Sequence, residues 1–97
     1  MLYSVTVPDY NTEKPHIQFN ISLAVRTLSI TAYFTEDGDW ICKVYDVTND
    51  VLRSFTLRSN ACYFNKSPEF TIRTGLISEI NINSMRGLVL EIEDHAA

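Results

Sequence analysis

Glycine and proline are scarce in this sequence, with three of each among 97 residues. This scarcity excludes collagen-like and flexible low-complexity chains, and it disfavours long irregular stretches. No apolar run approaches the roughly 20 residues that a membrane helix requires, and the first residues lack the basic segment and apolar core of a secretory signal. We therefore expect one domain without a membrane span, made and folded in a reducing cytoplasm.

Side chains that commonly act in catalysis or metal binding are also few. Cys42 and Cys62 are the two cysteines, and in a reducing compartment we expect packed thiols rather than a disulfide or a metal pair. His16 lies beside a proline and His95 lies in the C-terminal tail, and no C-x-x-C spacing is present for zinc. Residues 46–50 alternate oxygen ligands, but valine and leucine replace the glycine and glutamate of a calcium loop. We expect no catalytic residue, cofactor or metal.

The balance of charged residues argues against binding of nucleic acid. Eight Lys and Arg stand against twelve Asp and Glu, which gives a net charge of -4. Aromatic residues make up 11% of the chain and could stack single-stranded nucleic acid, but such sites combine aromatics with a basic groove. The basic residues are instead dispersed along the chain and outnumbered by acids. The aromatic residues therefore indicate core packing or a protein interface, and we expect the partners to be proteins.

Hydrophobic periodicity predicts strands. Apolar residues occupy every second position from 17 to 25, and a second alternation with opposite parity runs from 28 to 34. Such a change of parity is what a two-residue hairpin imposes, and it places the turn at about Val25-Arg26. Neither residue favours the positive φ typical of these turns.

Two further strands, separated by polar turns, are predicted after residue 34. The segment 35–39 is a turn centred on Asp-Gly, and the strand 40–45 after it carries alternating faces. Ile41 and Tyr45 on its nominally outer face predict a strand that is covered on both sides. After a polar turn at 46–50, residues 51–57 form the next strand. These elements predict an antiparallel meander.

Periodicity weakens after residue 58. Residues 59–68 are expected to form a loop whose aromatics, Tyr63 and Phe64, either pack back onto the sheet or meet a partner. Residues 69–73 alternate briefly, residues 76–85 fit neither period, and residues 87–93 form a last strand.

The fold class that follows is all-β, either a small antiparallel β-sandwich or a partly closed β-barrel. The expected core consists of Phe19, Ile21, Leu23, Leu28, Ile30, Trp40, Cys42, Val44, Leu88 and Leu90. The expected protein interface consists of Ile41, Tyr45, Tyr63 and Phe64. Small domains cannot bury all of their apolar surface, and in this chain the surplus is aromatic and aliphatic.

Residues 17–23, 28–34 and 39–46 resemble the small baseplate plug family of contractile-tailed bacteriophages, known from a cyanophage baseplate. Members of that family carry a Phe-rich first strand and, after a polar turn, a W-x-x-x-I/V-x-D segment. Trp40, Val44 and Asp46 stand at the three defined positions of that segment. The order of elements agrees up to residue 92. The chain departs from the family at residues 24–26, where members have glycine, and at residues 59–64, where members are leucine-rich.

The resemblance implies a non-enzymatic component of the virion, assembled in the host cytoplasm and held in the tail baseplate near its hub and tube. It implies several symmetric copies in contact with other tail and baseplate proteins, with strand edges and aromatics as interfaces. The residues alone leave other functions open. One is a small acidic β-domain that binds a single basic partner as adaptor or inhibitor. Another is a ligand carrier or enzyme, which would need a cavity containing Asp46 or His16.

Overall fold

The computed structural model describes residues 2–95, and within that range it contains eight strands and no helix. Alternating apolar and polar residues account for most of these strands, since most bury one face only, whereas β7 is buried on both faces. The strands are β1 (Leu2–Thr6), β2 (His16–Ser22), β3 (Thr27–Phe34), β4 (Trp40–Asp46), β5 (Val51–Thr56), β6 (Cys62–Tyr63), β7 (Phe70–Thr74) and β8 (Val89–Asp94).

The strands form two antiparallel sheets that pack on each other. The meander sheet has the order β2-β3-β4-β5, and the second sheet has the order β1-β8-β7-β6. The predicted all-β class is therefore confirmed, and of the two predicted architectures the sandwich is formed rather than a barrel. The meander was expected from sequence, because its strands follow one another along the chain and are joined by short turns.

The first hairpin turns one residue earlier than predicted. The amide of Leu23 donates to the carbonyl of Arg26 at 2.8 Å, so Ala24 and Val25 form the two-residue loop and Arg26 is the first paired residue after it. Neither loop residue adopts positive φ. Moving the turn by one residue shifts the register by two, which leaves every side chain on its face. Alternation therefore could not distinguish the two registers.

The face assignment of β4 agrees with its alternation. Trp40, Cys42 and Val44 point into the core and are almost fully buried. On the opposite face Ile41 is half-buried and Tyr45 is 37% exposed. No strand of residues 2–95 packs over this outer face, so the cover on its second side stays a prediction about a partner chain.

The second sheet was predicted only in part. Its edge strand β1 was not identified in the sequence, and β7 and β8 each begin one or two residues later than expected. Residues 76–85, which fit neither period, form an irregular loop in the structure. This loop closes one end of the sandwich and buries Met85 completely.

Most of the expected core residues are buried between the sheets. Ile21, Leu23, Leu28, Ile30, Trp40, Cys42, Val44 and Leu90 belong to the buried core. Phe19 and Leu88 are only partly buried and pack against it. Ile17 and Ile92, which the alternation places on the apolar faces of their strands, are buried as well. The expected core did not include the other large buried residues, which are Val7, Phe55, Leu57, Phe70, Ile72 and Met85.

Trp40 connects the sheet to the closing loop. Its indole N–H donates to the carbonyl of Asn81 at 2.8 Å, and its ring contacts those of Tyr10 and Phe34 at centroid distances of 5.2 and 5.4 Å. The hydroxyl of Tyr10 donates to the carbonyl of Ile82. The irregular loop is thus held by side-chain hydrogen bonds to its backbone, which leave no periodic signal in the sequence.

Replacing Trp40 by phenylalanine should lower the free energy of unfolding by about 1–3 kcal/mol, because the smaller ring leaves a gap and the Asn81 carbonyl loses its donor. Chemical denaturation followed by circular dichroism measures this change. The control is Tyr33→Phe on the outer face of β3, which should shift the unfolding free energy by less than about 0.5 kcal/mol. Equal stability of the Trp40→Phe variant and the parent would contradict the proposed anchoring.

Candidate interaction surface and buried charge cluster

A buried cluster of three charged side chains joins the two sheets at one end of the sandwich. Arg26 follows the first hairpin, Asp46 ends β4, and Asp94 ends β8. The guanidinium donates from Nε to Asp94 Oδ1 at 2.9 Å and from Nη1 to Asp46 Oδ2 at 3.2 Å. Their side chains are at most 7% exposed. Because a buried charge is tolerated only with partners, this cluster constrains both sheets together.

The turn after β4 supplies further donors to Asp46. The backbone amides of Thr48 and Asn49 donate to its Oδ1, each at 3.1 Å, and the Asn49 side-chain amide donates to Oδ2 at 2.8 Å. Burial by itself would raise the pKa of Asp46, but the hydrogen bonds from Asn49 and Arg26 outweigh it and hold the pKa below its usual value. The alternating oxygens of 46–50 thus stabilise a turn.

An open cleft of about 530 Å³ adjoins this cluster, lined by residues that include Arg26, Glu69 and His95. The Nε2 of His95 lies 2.7 Å from Oγ1 of Thr71, which is 2% exposed. Glu69 accepts from the hydroxyl of Ser67 and from Arg53 Nη2, the latter at 2.9 Å. The hydrogen bond from Ser67 does most to lower the pKa of Glu69. His95, Thr71, Glu69 and Ser67 each have a hydrogen-bond partner inside the chain, whereas the buried Nε of Arg53 has none. The carboxylate and the imidazole at this cleft are thus each held by a hydrogen bond within residues 2–95.

Neither metal nor thiol chemistry is indicated by the described residues. Within residues 2–95 no group of three or more His, Cys, Asp or Glu side chains is placed to hold a metal ion. Both cysteines are free; Cys62 is exposed on the second sheet, whereas burial of Cys42 raises its pKa to about 12. No helix in the same range is long and apolar enough to cross a membrane. His16, the other histidine, lies exposed at the start of β2.

The outer face of the meander sheet is the largest regular surface that the described chain leaves uncovered. It consists of the side chains that alternate with the buried ones on the four strands. These are His16, Gln18, Asn20, Ser22, Thr27, Ser29, Thr31, Tyr33, Ile41, Lys43, Tyr45, Leu52, Ser54 and Thr56. None of them is acidic, although the chain as a whole carries a charge of -4.

Register aligns the apolar members of this outer face. Tyr45 lies directly opposite Leu52, which is 63% exposed, and Ser29 stands on the other side of Tyr45. The hydroxyl of Tyr45 donates to Asp50, and this hydrogen bond raises the pKa of the tyrosine. Ile41 is flanked by Tyr33 and Thr56 in the same way. The face thus combines a fixed tyrosine and two aliphatic side chains with many hydroxyl and amide groups.

The other two expected interface residues lie elsewhere. Tyr63 stacks on Phe55 at 4.1 Å between ring centroids and donates from its hydroxyl to the carbonyl of Thr56. Phe64 packs edge-on against Phe70 at 5.8 Å. Of the two alternatives for these aromatics, packing back onto the sheet is the one observed. Phe64 has a φ of 63°, a left-handed conformation that interrupts strand alternation and brings both neighbouring rings to the core.

Leu52 is the most exposed apolar residue of this surface, and it was not among the interface residues expected from the sequence. Its signal was present in the alternation of residues 51–57, whose outward positions include it.

Comparison of the chain with protein-family models, with curated proteins and with solved structures gave no match. Function must therefore be inferred from the chain's own surfaces.

Replacing Asp46 by asparagine should lower the unfolding free energy at neutral pH by about 1–3 kcal/mol, because Arg26 loses a charged partner. The lowered pKa also predicts a pH dependence. The carboxylate's contribution is full above its unfolded pKa of about 3.9 and is lost as pH falls through the folded pKa. The unfolding free energy, measured by denaturation from neutral to acidic pH, should therefore decrease less in the variant than in the parent.

The matched control is Asp50→Asn, an exposed position with φ of 55° that asparagine tolerates well. This change should leave both the neutral-pH stability and its acid profile nearly unchanged. If the two variants behaved alike, the buried cluster would not be the constraint that the geometry indicates.

Proposed function

We propose that the chain acts by packing against another protein through the outer face of its meander sheet. The observation that supports this most is the exposed pair of Tyr45 and Leu52 on a face without carboxylates. Tyrosine supplies large contact area with few rotatable bonds, and serine, threonine and asparagine supply adaptable hydrogen bonds. Depletion of charge at the centre is typical of the buried part of an interface.

The assembly that we propose is the baseplate of a contractile phage tail, with this chain as a plug or hub-associated subunit. The resemblance of residues 17–46 to the baseplate plug family supports this setting. A regular sheet face with exposed apolar groups is typical of a surface that packs against another protein, as in a structural subunit. The chain would be built into the virion after synthesis in the host cytoplasm.

A second candidate is an adaptor or inhibitor that binds one basic partner. It is supported by Glu36 and Asp37, which stand exposed at the tip of the β3–β4 hairpin. Such binding would weaken steeply with salt, because exposed charges are screened. Binding through the outer face of the meander sheet would depend on salt only weakly, since its centre is uncharged apart from Lys43.

Fractionation of infected cells tests the proposed setting. We expect this chain to sediment with assembled tails and to be detected by mass spectrometry in purified virions, because a baseplate subunit is retained by its contacts. Recovery of the chain solely as free protein, with none in washed virions, would overturn the baseplate proposal.

Leu52→Lys tests the surface itself. A charge beside Tyr45 in the exposed apolar pair should reduce incorporation into tails, or affinity for the isolated partner, by about tenfold or more. The matched control is Leu76→Lys, a leucine that is 82% exposed in the loop after β7 and lies off this face. Equal incorporation of both variants would contradict docking through the outer face.

A further inference from the structure

The free edge of β2 is the longest strand edge left open in the described part of the chain. The two sheets end on β2 and β5 and on β1 and β6. Of these, β2 has seven residues, whereas β5 has six, β1 has five and β6 has two. An open strand edge presents unpaired backbone donors and acceptors and is a template for another strand.

The hydrogen-bonding pattern identifies which backbone groups face this edge. Leu23 pairs with Arg26 through its amide, and the carbonyl of Pro15 accepts from Phe34. In an antiparallel ladder such bonds recur at every second residue, so the odd-numbered residues of β2 bond to β3. The N–H and C=O groups of Gln18, Asn20 and Ser22 therefore point away from the sheet, and their side chains are exposed.

The edge carries none of the usual protection against pairing. Natural edge strands are blocked by lysine, proline, bulges or inward charges. Residues 17–23 contain no charged residue and no proline, although Lys14 and Arg26 stand close on either side and charged residues make up 21% of the chain. β2 also pairs continuously with β3 from His16 to Ser22, without a bulge.

Neutrality of this kind fits one partner best, a second copy of the same chain. In a two-fold symmetric pair the residue on the axis meets itself, so a charge at that position would face a like charge and oppose pairing. A strand from a different protein imposes no such restriction, because it could supply the opposite charge.

We propose that β2 pairs antiparallel with β2 of a second copy, about a two-fold axis at Asn20. This register sets Asn20 opposite Asn20 of the second copy and Gln18 opposite Ser22 of the second copy. All the outward backbone groups of these residues then find partners, in about six hydrogen bonds. The two four-stranded meander sheets join into one continuous sheet.

The inner side of the strand gains contacts in the same register. Phe19 lies on the core face but is only half-buried, although its neighbours Ile17 and Ile21 are buried. Pairing about Asn20 places Phe19 beside Ile21 of the second copy. Covering the remaining ring surface supplies the apolar burial that edge hydrogen bonds alone lack.

This inference goes beyond the proposed function and does not depend on it. Self-pairing uses the edge of β2, whereas partner docking uses Tyr45 and Leu52 near the opposite edge. The experiment needs the purified chain alone, so its result is separate from any result on tails.

Sedimentation equilibrium of the full chain over a concentration series tests the proposal. We expect a dimer of the 11.1 kDa chain that dissociates on dilution. Asn20→Lys should raise the dimer dissociation constant by at least about fivefold, because two lysines then face each other at the axis. The matched control is Ser54→Lys on the edge of β5, which should leave the constant unchanged.

A mixing experiment tests the register. Asn20→Lys and Asn20→Glu should each dimerise poorly, and an equimolar mixture should form a heterodimer, because residue 20 faces residue 20. Circular dichroism checks that each variant is folded. A monomeric parent chain at all concentrations, an unchanged constant for Asn20→Lys, or failure of the mixture to associate more tightly than its components would overturn the proposal.

Discussion

The shared guanidinium of Arg26 is the constraint on which the arrangement of the two sheets depends. One cation buried between Asp46 and Asp94 joins the end of β4 to the end of β8, and so holds one sheet against the other. Leaving any of the three without its partners would strand a buried charge, which costs far more than a lost surface contact. The hairpin register follows from this, because Arg26 reaches both carboxylates from the first paired position after the turn.

The dependence of the hairpin register on Arg26 explains why the strands could be predicted from the sequence but their exact pairing could not. Alternation over residues 17–34 and 40–57 predicts the meander because its strand pairs are local and its turns are short. It cannot choose between registers that differ by two residues, since both bury the same side chains. That choice rests on an ion cluster assembled from residues far apart in the sequence, and no local pattern encodes it.

The second sheet illustrates the same limit. Tyr3 and Val5 of β1 face the core, yet exposed Leu2 on the other face obscures the alternation of so short a strand. Its partner β8 lies at the opposite end of the chain, so neither strand indicates the other. For the candidate surface, the outward positions of β4 were predictable from parity. The inward turn of Tyr63 and Phe64 was not, because it depends on one left-handed residue.

Charged side chains are distributed unequally between the outer faces of the two sheets. The second sheet exposes Glu91, with Glu93 paired to Arg73, whereas the outer face of the meander sheet exposes no carboxylate. The free edge of β2 is neutral as well. Contact with the second sheet would remove the Glu91 carboxylate from water, and desolvating a carboxylate is costly. On the outer face of the meander sheet Lys43 is the charged side chain, so contact there would desolvate no carboxylate.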